Sequence, residues 1–208
     1  MPAFAFCSGL FAHFDKRKIL VNFIYPYLIF QTLYMLFARF VLHSTAAFQY
    51  TKPYWLMWYM LAMIIWECAL PMFQERSRLK QVLIILAMFG VSLWIGMDKE
   101  VSYFLSLSRV LVLFPFFLLG YYFKQSRIFE LLGDRTFRKT FAFQQSRLLL
   151  TCAVIAITLI LLELRETINP KWLYDSYSYD QLDYNVPTRA FFMLSALIIT
   201  AFLLVVVP

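Results

Sequence analysis

Charge is scarce in this sequence. Of its 208 residues, 15% are acidic or basic and 62% are hydrophobic, which leaves too little polar surface to cover a water-soluble globule. Cysteine is sparse as well: Cys7, Cys68 and Cys152 have no paired spacing, which argues against a disulfide framework or a zinc site. No metal is expected, and each cysteine, lying inside an apolar run, is read as a packing residue. The sequence has no glycine-rich phosphate loop, no HExxH and no GxSxG elbow, so the commonest soluble-enzyme motifs give no support. It also lacks the internal repeat that many transporters carry, and the short alternation of apolar and polar residues that marks barrel strands.

What the sequence has is long apolar runs. A helix needs about 20 mainly apolar residues to cross a hydrocarbon core of roughly 30 Å. Runs at 19–42, 54–73, 81–97, 103–123, 147–163 and 190–207 approach that length, and a shorter one occupies 1–14. The short run would reach only about 21 Å as a helix. The expected fold is all-α: a polytopic transmembrane helix bundle with six full spans plus one partial N-terminal helix, forming a single membrane domain over 1–208. The half-length start, and an end at Val205, Val206, Val207 and Pro208 without anchoring charge, lead to the expectation that this domain is cut at both ends. The start is not a secretory signal, because Lys16, Arg17 and Lys18 follow the apolar stretch instead of preceding it.

The net charge of +7 is segregated by loop. Alternate loops hold Lys16, Arg17 and Lys18; then Arg76, Arg78 and Lys80; then Lys124, Arg127, Arg135, Arg138, Lys139 and Arg147. The intervening loops hold half as many cations: Arg39 and Lys52; Lys99; Arg165, Lys171 and Arg189. Positive charge concentrates on the cytoplasmic side of a membrane protein, so the first set is expected inside, in an integral, multi-pass protein whose partner is the lipid bilayer. Nucleic acid is excluded as a partner, since no soluble basic domain is present to bind it.

Charges within the runs narrow the search for a site. Arg109 falls about 9 Å below the outer interface, where an arginine must face a cavity, a partner or the bundle interior. Glu67 falls near the inner end of its run, about 12 Å from Arg109 in height, too far for a direct ion pair. The plainer alternatives are that Arg109 snorkels to the outer interface and that Glu67 is protonated or bonded to a neighbouring helix. His13 and His43 sit near run ends, where an imidazole is commonly interfacial rather than catalytic. Trp55, Trp58 and Tyr59 open the 54–73 run and are read as headgroup anchors. Pro26, Pro71 and Pro115 are expected to kink their helices. The outer loop 164–189, with Trp172, Tyr174, Asp175, Tyr177 and Asp180, suits stacking on sugar rings and interfacial anchoring equally well.

The opening Met1-Pro2-Ala3-Phe4-Ala5-Phe6-Cys7-Ser8-Gly9-Leu10-Phe11 resembles the second-helix signature of the acyltransferase-3 family: His-Met-Pro, aromatic residues, then Ser-Gly and an aromatic. Lys16–Lys18 leading to Tyr25-Pro26-Tyr27, then Trp55-Leu56-Met57-Trp58-Tyr59, then Arg109 with Phe114-Pro115-Phe116-Phe117-Leu118-Leu119-Gly120-Tyr121, continue the likeness in order. It covers the chain to about Tyr122 and is similar to the fucose 4-O-acetylase-like branch of that family. Lys16, Arg17 and Lys18 lack the family's Arg-two-residues-Arg spacing.

The resemblance implies a membrane-embedded O-acyltransferase of a bacterial inner membrane. Its donor would be acetyl-CoA or another acyl-CoA, and its acceptor a hydroxyl of a cell-surface or secreted carbohydrate. A histidine would take the hydroxyl proton, while positive charge, from Arg109 or the inner basic residues, would stabilise the oxyanion or hold the donor's phosphates. Candidate substrate or donor-binding residues are Arg109, Lys16, Arg17, Lys18, Trp55 and Glu67. The family's catalytic histidine would lie ahead of Met1, so this fragment alone is expected to be inactive. Two other classes stand beside this one: a transporter or flippase for a lipid-linked sugar, and a non-catalytic remnant.

Overall fold

The structure, a computed structural model, describes residues 1–43, 50, 53, 57–95, 107–164 and 185–206. Among the described residues the regular structure is entirely helical, with no strand. In chain order the helices are α1 (Pro2–Phe11), α2 (Lys16–Phe40), α3 (Met57–Phe73), α4 (Arg78–Trp94) and α5 (Leu107–Lys124). They are followed by α6 (Arg127–Gly133), α7 (Arg135–Arg138), α8 (Phe141–Glu163) and α9 (Val186–Val206).

Local sequence sets several of these ends. Asp15 caps α2, its carboxylate accepting from the Arg17 and Lys18 amides, so the basic triplet forms the first turn of that helix. Ser126 and Asp134 cap α6 and α7 in the same way. Two of the prolines coincide with irregular helical turns. Leu20–Ile24 is a π-helical turn in which the Tyr25 amide reaches back to the Leu20 carbonyl, a widening that accommodates Pro26, which has no amide of its own to give. Pro71 falls in the 3-10 turn Leu70–Phe73 that ends α3.

Among the described residues three helices are long and apolar enough to cross a membrane: Lys16–Phe40, Ala142–Glu163 and Val186–Val206. The expected six full spans therefore reduce to three by this measure. The apolar helices Pro2–Phe11 and Met57–Phe73 are shorter, and α4 has 17 residues and α5 has 18. Boundaries moved because basic residues joined helices rather than loops: α2 begins at Lys16, α4 at Arg78, and α8 before Arg147.

The helices alternate in direction around α5. Trp58 lies by Arg109, Trp66 packs on Phe117, and the Tyr122 hydroxyl donates to the Phe73 carbonyl at 2.6 Å, so α3 and α5 run parallel. α4 runs the other way: Ser92 donates to the Leu111 carbonyl at 3.0 Å, Phe89 packs on Phe116, and Gln81 meets Gln125. α1 is parallel to α5 along its C-terminal half, with Phe6 against Phe123. Gly9 and Gly120 bring these two backbones together: a Cβ on Gly9 would stand 2.0 Å from the Phe117 carbonyl oxygen, and one on Gly120 2.0 Å from that of Phe6. Small residues at such a crossing are how helices without a hydrophobic driving force pack closely in lipid.

This arrangement makes α5 the core and α8 the periphery. Val110 and every residue from Val112 to Leu118 are buried, whereas only 6% of the apolar stretch of α8 is covered. Leu148, Leu149, Ile155 and Leu159 on α8, and Leu28, Ile29, Phe30 and Leu33 on α2, are exposed. A soluble monomer rarely leaves so continuous an apolar surface open; against hydrocarbon it carries no penalty. The basic segments around Lys16–Lys18, Arg76–Lys80 and Lys124–Arg147 all fall at one end of the bundle, which follows from the alternating helix directions.

Candidate functional site

The side chains that can do chemistry meet in a cleft of about 640 Å³ between α1, the start of α2, and α3. α1 turns Ala5, Phe6, Gly9 and Leu10 inward and offers Phe4, Cys7, Ser8 and Phe11 to the cleft. α3 contributes Tyr59, Met63 and Glu67, which recur every fourth residue and so share one face. From Tyr59 to Glu67 the wall extends about 12 Å.

Two polar groupings occupy its ends. Toward the start of α3, the Ser8 and Tyr59 hydroxyls are joined by a 2.6 Å hydrogen bond, and the Tyr59 ring packs on Phe4 at 5.0 Å. Toward the basic end, the chain leaves α1 at Ala12 in an extended conformation, which brings His13 beside the first turn of α2. There Lys18 Nζ lies 2.7 Å from His13 Nε2, and His13 Nδ1 lies 3.3 Å from the Phe11 carbonyl oxygen. An ammonium can only donate. His13 Nε2 is therefore the acceptor, and the ring proton sits on Nδ1, directed at Phe11. The Asp15 cap fixes the turn that presents Lys18.

Glu67 completes the group. It is 7% exposed and lines the same cleft as His13 and Lys18. The arrangement thus holds an imidazole with a defined tautomer, an ammonium on its basic nitrogen, and a buried carboxyl group in the same cleft. A hydroxyl entering in place of Lys18 would meet a nitrogen lone pair able to take its proton.

Of the residues singled out in the sequence, Lys18 and Glu67 are brought together here. Lys16 and Arg17 lie on the same turn, exposed and off the lining. Arg109 is elsewhere, its guanidinium carbon 5.4 Å from the centre of the Trp58 ring, a cation–π contact, nine residues up α3 from Glu67. Trp55 lies outside the described residues.

Several expectations are corrected. Trp58 is not a headgroup anchor but a buried residue beneath Arg109, and Tyr59 faces Ser8 in the cleft. The three cysteines are exposed rather than packed in the core, and Cys7 lines the cleft. His13, weighed as interfacial, lines the cleft; Asp15 followed by three basic residues was the signal for the cap that brings it to Lys18. Among the described residues no three metal-ligating side chains converge. Set beside known proteins, the chain matches no family model, no curated protein and no solved structure.

Proposed function

We propose that this chain is a membrane-embedded O-acyltransferase that moves an acyl group, acetyl in the simplest case, from acyl-CoA to a hydroxyl of a cell-surface or secreted carbohydrate. The observation that supports it is the convergence of His13, Lys18 and Glu67 in one apolar-walled cleft, at the end of the bundle where the basic segments gather. The resemblance to acyltransferase-3 proteins supplies the reaction type. In this reading the basic end faces the cytoplasm of a bacterial inner membrane, α3, α4 and α5 cross with the three longer helices, and α1 fills the inner half.

The acceptor oxygen attacks the thioester carbonyl carbon as His13 Nε2 takes its proton. The Lys18 ammonium, displaced from the imidazole by the incoming hydroxyl, stabilises the oxyanion. As the carbon–sulfur bond breaks, the proton passes from His13 to the departing thiolate, leaving an ester and free CoA. Nδ1, held by Phe11, keeps the ring oriented, and the Glu67 carboxyl lines the same cleft.

The test is an assay of the full chain in proteoliposomes with labelled acetyl-CoA and a panel of sugar acceptors, reading thiol release and labelled ester. Acceptor-dependent transfer is expected, falling about 100-fold or more in His13→Gln. An inactive wild type would sink the role given to His13. Movement of a lipid-linked sugar without thiol release would favour a flippase instead.

A further inference from the structure

The cleft that brings His13 to Lys18 is sorted by polarity along its length. The imidazole of His13, the ammonium of Lys18 and the carboxyl of Glu67 stand at its basic end, with Asn22 one helical turn beyond Lys18. The other half is walled by Met60 and Met63 on α3, Phe4 on α1, and Phe23, which the π-helical turn of α2 brings in. Such turns are frequent at functional sites, and unbranched thioethers adapt to the shape of what lies on them. The far end carries two hydroxyls, but both protons stay within the protein. Tyr59 donates to the Phe4 carbonyl at 3.4 Å, which leaves Ser8 to donate to Tyr59 at 2.6 Å. Hydrocarbon can lie against this pair without stranding a donor.

The apolar half decides among ligands. In the reaction assigned above the thioester carbonyl stands at His13 and Lys18, and the groove extends about 12 Å from there to Tyr59. An acetyl methyl, about as large as one water's share of the liquid, roughly 30 Å³, would leave nearly all of the 640 Å³ cleft unused. A sugar ring would set its hydroxyls against methionine and phenylalanine without partners. A hydrocarbon chain has no such cost. With bonds of about 1.5 Å it advances about 1.25 Å per carbon, so about ten carbons reach Tyr59. The mouth favours a head that carries several phosphates: Lys16, Arg17 and Lys18 form one exposed turn there, which stays net positive with its cap Asp15 counted. We propose that the cleft holds the acyl chain of a medium-chain acyl-CoA, about ten carbons long, with its thioester at His13 and Lys18 and its CoA moiety at the basic turn. The inference rests on the acyl-transfer reading and names its donor.

Cys7, exposed on the groove wall, reports occupancy whether or not transfer occurs. The full chain in nanodiscs is labelled with a charged thiol reagent, and mass spectrometry of the peptides compares Cys7 with Cys152 in the presence of decanoyl-CoA, acetyl-CoA, CoA or decanoate. Decanoyl-CoA at about ten times its dissociation constant is expected to slow Cys7 about tenfold and to leave Cys152 unchanged, while acetyl-CoA and CoA at that concentration have no effect. Met60→Trp, which fills the groove from one side, should move the preference to hexanoyl-CoA. Should that variant not fold, protection of the wild type across an acetyl-to-palmitoyl series should still reach its maximum near decanoyl. Equal protection by acetyl-CoA, equal slowing of Cys152, or equal protection by decanoate would overturn the proposal, the last by showing a site for any fatty chain. Protection by decanoyl-CoA without thiol release to any acceptor would uphold the groove and sink the transfer. Labelled ester formed from acetyl-CoA while decanoyl-CoA leaves Cys7 unprotected would sink the groove alone.

Discussion

Adding one methyl group at Gly9 is the most direct probe of the helix pair that frames the cleft. The Cβ of Gly9→Ala would stand 2.0 Å from the Phe117 carbonyl oxygen, 2.9 Å from its carbon and 3.0 Å from the Tyr121 nitrogen. All three are backbone atoms, so no side-chain rotation can make room. Ordinary contact begins at 3.4 Å, which requires α1 and α5 to separate by about 1.4 Å. A gap of only about 0.5–1 Å already forfeits a quarter to a half of a contact's dispersion energy, and this interface includes the buried Ala5, Phe6 and Leu10. Overpacking of this kind costs about 1–3 kcal/mol, with more in the worst cases, and the upper part of that range is expected because the clash is with backbone. Gly90 is the internal control: a Cβ there meets nothing within 4 Å, and alanine in mid-helix gains about 1 kcal/mol in helix propensity. Thermal unfolding in detergent, followed by tryptophan fluorescence, should place Gly9→Ala well below wild type and Gly90→Ala at or slightly above it. Gly120→Ala should match Gly9→Ala, and the double variant should lose much less than the sum, because both break one crossing. If Gly9→Ala unfolds with the wild type, α1 does not pack on α5 as described.

Two further outcomes concern the loop at the basic end and the thiols. The Ser77 amide and the Lys80 ammonium hold the Glu75 carboxyl below the usual carboxylate range. A depressed carboxyl adds stability above its unfolded value that is lost as pH falls through the folded one. The difference in melting temperature between wild type and Glu75→Gln should therefore shrink below the ordinary glutamate value of 4.5; a constant difference would count against the hydrogen bonds. In bilayers, a small charged thiol reagent should modify Cys7, which lines the cleft, much faster than Cys152, which lies midway along the lipid-facing α8. The reverse order would show that α8 is not the helix against lipid.

The helical class and the segregation of charge were legible because both rest on features that survive any packing: apolar runs and the loops in which basic residues fall. Helix ends were not, because a capping residue can draw charged neighbours into a helix that hydropathy ends before them. Asp15 does this to Lys16, Arg17 and Lys18. The setting of α3 is hidden in the sequence for a related reason. Hydropathy cannot separate an apolar helix that faces lipid from one enclosed by protein, and Trp58 and Tyr59, which suit either setting, were assigned to the headgroup level although α5 encloses the first and Ser8 engages the second. Glu67 was legible as a charge out of place but not its company, since His13 and Lys18 reach it across 54 and 49 residues of chain.

That company follows from the shortness of α1. A full-length helix beside α3 would carry an unbroken apolar face past Glu67 and cover it. α1 ends at Phe11 instead, and the extended Ala12 turns the backbone so that a histidine and a capped basic turn face the last part of α3. The glycine crossing then sets the height of that turn, because Gly9 is locked against Phe117 and Tyr121 only four residues before His13. The packing contact and the chemical group are thus on one short lever, and a substitution that lifts α1 from α5 must also displace the imidazole from Lys18 and Glu67. Loss of transfer activity in Gly9→Ala should exceed what its remaining folded fraction accounts for, whereas an equally destabilising change on α8 should lower activity only in proportion to folded protein.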